Sequence, residues 1–219
     1  EAEMHYPREY ALVNINEKPA SHSKVENFKI QWNKIDCYRV IQKIGRGKYS
    51  EVFSGLNTEN QQKVCIKLLK PVRKFKILRE VKILQILYGG PNIVSLHDVA
   101  RDRASKTPCL VFEYLANANS TVAAVFKIFQ DLDCRYYMFQ LLLALDYAHS
   151  NGIMHRDVKP QNIMFDCVNK KFRLIDWGLA EFYVPNQTYN VRVATRFYKS
   201  PELLVEDTNY HYALDIWSA

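Results

Sequence analysis

The sequence holds 219 residues, with 30 Lys and Arg against 23 Asp and Glu, a formal net charge of +7. Its cysteines (Cys37, Cys65, Cys109, Cys134 and Cys167) form no metal-ligand spacing and are odd in number, which argues against a disulfide framework. No basic-plus-apolar leader opens it and no run approaches the roughly 18 apolar residues that span a bilayer, so the expectation is an intracellular location, cytoplasm or nucleus, without membrane contact. The basic excess admits nucleic acid or acidic peptides as partners. No zinc, helix-turn-helix or RNA-binding signature accompanies it, so nucleic acid is not specifically implied.

Residues 1–36 are polar, lack glycine and contain Pro7 and Pro19. Composition leaves open a loose tail or a segment packed on the rest of the chain. Residues 37–112 alternate strand-like runs with one helix and read as a small β-rich lobe. Tyr38, Val40 and Ile41 lead into Ile44-Gly45-Arg46-Gly47-Lys48-Tyr49-Ser50-Glu51-Val52, two strands joined by a glycine hairpin whose backbone N–H groups can approach phosphates. A dinucleotide-binding fold does not fit, because a helix should follow those glycines and Glu51 to Ser54 reads as a strand. Val64 to Leu69 is an apolar run around Lys67, a lysine with the reach to hold phosphates and in need of an acidic partner. Ile77, Val81 and Leu84 recur at helical spacing, and Glu80 beside that stripe is the chosen partner.

Residues 113–116 read as a hinge, and 117–219 as a partial second lobe. Asp131 to Asn151 is a long helix, with Tyr136, Phe139 and Leu143 on one face and Gly152 as its stop. Next comes His155-Arg156-Asp157-Val158-Lys159-Pro160-Gln161-Asn162, and further on Asp176-Trp177-Gly178. Phosphoryl transfer needs a hydroxyl aimed at the γ-phosphate and metal ions that neutralise the phosphate oxygens. Asp157 suits the orienting and proton-accepting role, and Lys159 suits holding the transferred phosphate. Asn162 and Asp176 supply oxygens of the kind Mg²⁺ takes when it also binds phosphates. Thr188, Tyr189, Thr195 and Tyr198 lie between Asp176 and Glu202, where Arg156 offers a partner for a phosphate.

Together these strings resemble the eukaryotic protein kinases, and closely the catalytic (alpha) subunit family of casein kinase II. The closer likeness rests on GRGKYSEVF (Gly45 to Phe53), LKPV (Leu69 to Val72), GGPNIV (Gly89 to Val94) and GIMHRDVKPQN (Gly152 to Asn162). LIDWGLAEFY (Leu174 to Tyr183) and VRVATRFYKSPELL (Val191 to Leu204) complete it, with Trp177 as a family marker. The resemblance implies an α+β, bilobal protein-kinase fold with a β-rich N-lobe and a mainly helical C-lobe. The expectation is that the chain stops early in that lobe's central helix, at Leu214 to Ser218. It also implies ATP as donor, with GTP as a second candidate, and Mg²⁺.

By the same resemblance, Ile44 to Val52 covers the nucleotide. Backbone groups of Glu113 and Leu115 meet adenine, while Val52, Cys65, Met164 and Ile175 sandwich the base. Two basic clusters, Lys70/Arg73/Lys74/Lys76/Arg79/Lys82 and Arg192/Arg196/Lys199, are implied to face acidic protein substrates, Lys74, Lys76, Arg192, Arg196 and Lys199 above all. Tyr38, Val40, Phe53 and Ile66 are implied to form an outer face that docks a dimeric regulatory beta subunit. Residues 1–36 are implied to pack on the activation segment and keep the enzyme constitutively active. Two departures stand out: Phe75 and Leu78 interrupt a usually continuous basic run, and Gln161 replaces a common histidine, so acid preference further along the substrate is expected to be weaker. Ser50 replaces the third glycine of the loop pattern. The rival expectation is a catalytically impaired, kinase-derived scaffold; a lipid or small-molecule kinase fits less well, given the RFYKSPE string (Arg196 to Glu202).

Overall fold

The computed structural model describes residues 7–71, 73–115, 129–166 and 169–219. The readings placed on residues 1–6, Val72, Ala116 and Cys167 lie outside the described residues. The N-terminal half forms a six-stranded sheet: β1 (Asn33–Lys34), β2 (Tyr38–Arg46), β3 (Ser50–Asn57), β4 (Lys63–Leu69), β5 (Leu96–Arg101) and β6 (Pro108–Glu113), in spatial order β1-β5-β6-β4-β3-β2. The sheet thus begins ahead of residue 37, because Asn33 and Lys34 pair in parallel with Ala100 and Arg101.

Strand alternation divides the sheet into two faces. Val64 and Ile66 of β4 point one way and pack with Ala100, Cys109 and Val111. Cys65 and Leu69 point the other way, into the main core with Leu110 and Phe112. Lys67 lies between Cys65 and Leu69, so alternation alone turns its amine inward. The expected outer docking face needs correction: Val40 is exposed, but Ile66 is only 1% exposed. The cause is Gly55, where an added Cβ would stand 2.5 Å from the Ile66 Cδ1 methyl, so the missing side chain leaves Ile66 room to sink in.

Helix α1 (Lys74–Ile86) lays Val81, Ile83 and Leu84 against that core, and Glu80 is buried with them. In the second half, α2 (Asp131–Ser150) opens with a capping box between Gln130 and Asp133 and stops at Gly152, whose φ is +71°. Its buried stripe is Tyr137, Leu141, Ala144, Leu145 and Ala148. Tyr136 and Phe139, which share a face as their spacing predicts, are 39% and 58% exposed, so that face is not the buried one. Apolar residues populate both sides of this helix, so periodicity alone admits two stripes. Packing decides: the hairpin of β8 (Ile163–Asp166) and β9 (Lys171–Leu174) presents Phe165, which meets the Tyr137 ring edge-on at 4.6 Å.

Short strands β7 (Ile153–Met154) and β10 (Glu181–Phe182) pair antiparallel, and short helices α3 (Pro201–Leu204) and α4 (Ala213–Ser218) follow. Of the two readings of the N-terminal segment, the packed one holds. Val13 and Val25 are buried, Asn14 donates to the carbonyls of Gly152 and Tyr183 at 2.8 Å, and the Lys82 amine donates to those of Ser21 and Lys24. Among the described residues no helix is long and apolar enough to cross a membrane.

Gly152 couples helix end and N-terminal segment: beside its left-handed φ, an added Cβ would fall 2.2 Å from the Asn14 amide. Gly152→Ala should therefore cost about 2–3 kcal/mol and lower the melting temperature by about 4–12 °C in differential scanning calorimetry. An unchanged melting temperature would contradict this packing.

Candidate active site

The segment after β7 is held by buried polar groups. His155 is fully enclosed and meets the Trp177 ring edge-on at 4.6 Å. Burial lowers its pKa against the pull of Asp215, so the ring is neutral. Its Nδ1 then accepts from the Asp157 N–H at 3.2 Å, and its Nε2–H donates to the Ile175 carbonyl at 3.1 Å. One imidazole thus fixes the backbone of both Asp157 and the strand leading to Asp176.

Arg156 adopts φ +66°, a left-handed conformation that a non-glycine residue holds only when its surroundings impose it. Asp215 imposes it: the two carboxylate oxygens accept the backbone N–H groups of His155 and Arg156, each at 2.8 Å. Burial works to raise the Asp215 pKa, but the hydrogen bonds from His149 and from the His155 backbone win, so the carboxyl stays below its ordinary range. The sequence around Asp215 shows only a helix start; nothing in that local string reveals a partner sixty positions away.

Two clusters of charge result. In the first, Asp157 Oδ2 lies 2.7 Å from the Lys159 amine and 2.9 Å from the Asn162 amide nitrogen. The Thr195 hydroxyl donates to Asp157 Oδ1 at 2.9 Å and accepts from Lys159 at 2.9 Å, a role the sequence did not suggest for it. In the second, the Lys67 amine sits 2.8 Å from Glu80 Oε1 and 2.7 Å from Asp176 Oδ1. Burial would lower the Lys67 pKa, yet the two carboxylates overcome it and hold the amine charged; burial would raise that of Asp176, and Lys67 depresses it.

Lys67, Glu80, Asp176, Asp157, Lys159 and Thr195 line one cleft of about 400 Å³ under the glycine hairpin, closed by Gly47 N–H donating to the Ser50 carbonyl at 2.9 Å. Gly47, Lys48, Tyr49 and Ser50 line it, as do Lys76 and Arg192. Gly45 and Arg46 pair with Val52 and Glu51 across the hairpin, and Glu51 is tied to Lys43. Val52, Cys65, Met164 and Ile175 are half-buried and Ile44 is half-exposed, as a covering for a flat ligand requires. At the hinge, the Glu113 N–H donates to the Ser95 carbonyl and its carboxylate accepts from Arg173 and the Ser95 N–H, and half-buried Leu115 follows it.

The basic clusters need correction. Lys74 does not line this cleft but a separate groove. Arg79 is buried and ion-paired with Glu181, Lys82 holds the N-terminal segment, and Lys70 donates to the Gly47 carbonyl. The Lys199 amine braces the carbonyls of Val191 and Val193 rather than facing the cleft, while Arg196 stands exposed outside it. Arg156 is not left waiting for a phosphate either. Its guanidinium donates to the Leu179 carbonyl and the Tyr210 hydroxyl, with Glu181 3.6 Å away. Local spacing could not foresee these partners, because each lies on a distant segment.

The donor set fits a metal that arrives with phosphates. Asn162 turns its amide nitrogen to Asp157, which leaves its oxygen available, and Asp176 commits only Oδ1 to Lys67. Among the described residues no group of three or more His, Cys, Asp or Glu side chains is arranged to hold a metal by protein alone. Phosphate-bound Mg²⁺ needs only one or two carboxylates.

Asp215→Asn should turn an amide N–H toward a backbone donor and cost about 2–4 kcal/mol. Because the folded pKa of Asp215 is depressed, the stability it contributes is present above the unfolded carboxyl pKa and lost as pH falls through the folded one. The wild-type advantage in urea denaturation should thus be full at pH 7 and shrink below about pH 4. Equal stability of wild type and variant at pH 7 would refute the role given to Asp215.

With the geometry assembled, the comparison with known families is direct. The family model described as "Protein kinase domain" matches residues 38–219. A sheet carrying a buried lysine–glutamate pair, a glycine hairpin over a cleft and an aspartate–lysine–asparagine loop is the architecture that match requires. The family implies ATP and a divalent metal in general, and a phosphotransferase activity. The chain belongs to the protein kinase domain family.

Proposed function

We propose that the chain is a serine/threonine kinase of the casein kinase II catalytic type, which transfers the γ-phosphate of ATP to Ser or Thr followed by acidic residues. The observation that carries this reading is the Thr195 hydroxyl bonded to both Asp157 and Lys159 at 2.9 Å. An aliphatic hydroxyl on the segment beside the cleft reaches the Asp–Lys pair directly. A substrate backbone lying at that level brings a Ser or Thr hydroxyl to the same depth, whereas a tyrosine hydroxyl, a whole ring further out, overshoots.

Asp157 then accepts the hydrogen bond of the substrate hydroxyl and takes its proton as that oxygen attacks phosphorus, with ADP as leaving group. Lys159 offsets charge on the transferred group. Lys67, fixed by Glu80, holds the non-transferred phosphates. When bound, Mg²⁺ would neutralise phosphate charge, held by the oxygens of Asn162 and Asp176. Lys76 and Arg192 at the cleft favour acidic residues near the acceptor by charge complementarity. Arg196 and Lys199 belong to a wider acid-selecting surface only if the loop rearranges around substrate.

Glu181 supports activity without loop phosphorylation: it supplies Arg79 and Arg156 with the negative charge a phosphate would otherwise bring. The packed N-terminal segment supports the same. A regulatory beta subunit would meet the exposed Val40 and Ile41 of β2, with Ile66 contributing from beneath.

An ATP transfer assay on Ser and Tyr versions of one acidic peptide tests this. Transfer should go to the Ser peptide, fall by about 10³-fold or more in Asp157→Asn and Lys67→Met, and Arg192→Ala should raise KM for acidic peptides more than for neutral ones. Transfer to the Tyr peptide alone, or undiminished activity in Asp157→Asn, would overturn the proposal.

A further inference from the structure

A second groove, about 540 Å³, lies along a face of α1 neighbouring the catalytic cleft. Its rim carries Lys29, Lys70, Lys74 and Arg101, and no carboxylate is among its described lining residues. Lys29 and Lys74 are exposed and meet no hydrogen-bond acceptor among the described residues, and none of the four forms an ion pair there. The floor is apolar, with half-buried Trp32, Ile77 and Leu78. Four cations around an apolar floor, with no acid to balance them, is a surface complementary to one kind of occupant.

We infer that this groove is a docking site for an acidic peptide segment carrying a short apolar anchor, which seats on Ile77 and Leu78 beside the Trp32 edge while flanking carboxylates meet the rim cations. Charge complementarity selects the acids, and burial of the anchor supplies affinity that exposed ion pairs alone do not. A nucleic acid fits less well, because single strands bind by stacking bases on open aromatic faces. Trp32 already carries the Arg101 guanidinium 5.4 Å from its ring centre, and Phe28, the other aromatic lining residue, carries the Lys82 amine at 5.7 Å.

The groove and the catalytic cleft share one residue, Ile77, a turn ahead of Glu80 on α1. A docked segment therefore touches the helix that also carries Glu80. On the proposed kinase reading, it tethers substrates whose acidic-apolar segment is remote from the acceptor Ser or Thr. Binding itself does not depend on that reading.

The test is fluorescence anisotropy with the 219-residue chain and a labelled Asp-Glu-Asp-Phe-Leu-Asp-Glu-Asp peptide, which contains no phosphorylatable residue. Lys29→Glu with Arg101→Glu should weaken binding at least tenfold, as should replacing the peptide's Phe-Leu by Gly-Gly. Lys171→Glu, an exposed β9 position that lines neither the groove nor the cleft, should leave it within twofold. Circular dichroism of the charge-reversed variant guards against loss of fold, and Leu78→Lys provides an independent block of the floor. Equal binding by the Gly-Gly peptide, equal competition by a single-stranded oligonucleotide of the same charge, or an equal loss of binding in Lys171→Glu would each overturn the docking site. Failure here with intact ATP transfer would leave the kinase reading standing.

Discussion

The structure turns on one buried amine. Lys67 comes from the sheet, Glu80 from α1 and Asp176 from the start of the segment that follows β9, and their charges meet within 2.8 Å. Lys67 and Glu80 are 12% and 9% exposed at their side chains, so the pair is largely desolvated. Breaking such a pair by removing one partner costs about 3–5 kcal/mol, because a buried charge is left uncompensated. The contact therefore fixes how α1 sits against the sheet. Gly178 is part of this constraint, since a Cβ there would stand 3.3 Å from both the Glu80 and Asp176 carboxylates.

The lower wall of the cleft is held by a different device. Arg156, Asp176 and Ala194 all have φ near +60°, each at a cost of about 1–3 kcal/mol. Such strain persists only where surroundings over-determine the backbone. Asp215 does this for His155 and Arg156 through two N–H bonds, and His155 extends the hold to Asp157 and Ile175. Glu181 then neutralises Arg79 and draws Arg156 toward the activation segment. The His155–Asn162 loop is held in its strained conformation by buried, paired charge as well as by apolar packing.

How legible this was in the sequence varied with range. The glycine hairpin, the inward Lys67 and the helix bearing Glu80 follow from local alternation and periodicity, and the structure places them together. The α2 stripe did not, since apolar residues on both sides of that helix leave the choice to Phe165. Ile66 sank below the surface because of a glycine on the neighbouring strand. The partners of Thr195, Asp215 and Glu181, and the positions of Lys74 and Lys199, are not legible locally for one reason: what each does is set by residues far away in the chain. A string can announce a charged residue, but only the fold says whether that charge is free.

If the Lys67–Asp176 side of the cleft, with Asn162, receives a magnesium-bound nucleotide, affinity for that nucleotide must depend on the metal and on Asp176. Calorimetric titration of a non-hydrolysable ATP analogue, with Mg²⁺ and with EDTA, reads that dependence. Binding should be at least about tenfold tighter with Mg²⁺, a difference of roughly 1.4 kcal/mol, and Asp176→Asn should abolish the difference. Metal-independent binding, or an undiminished Mg²⁺ effect in Asp176→Asn, would contradict the assignment of this cleft.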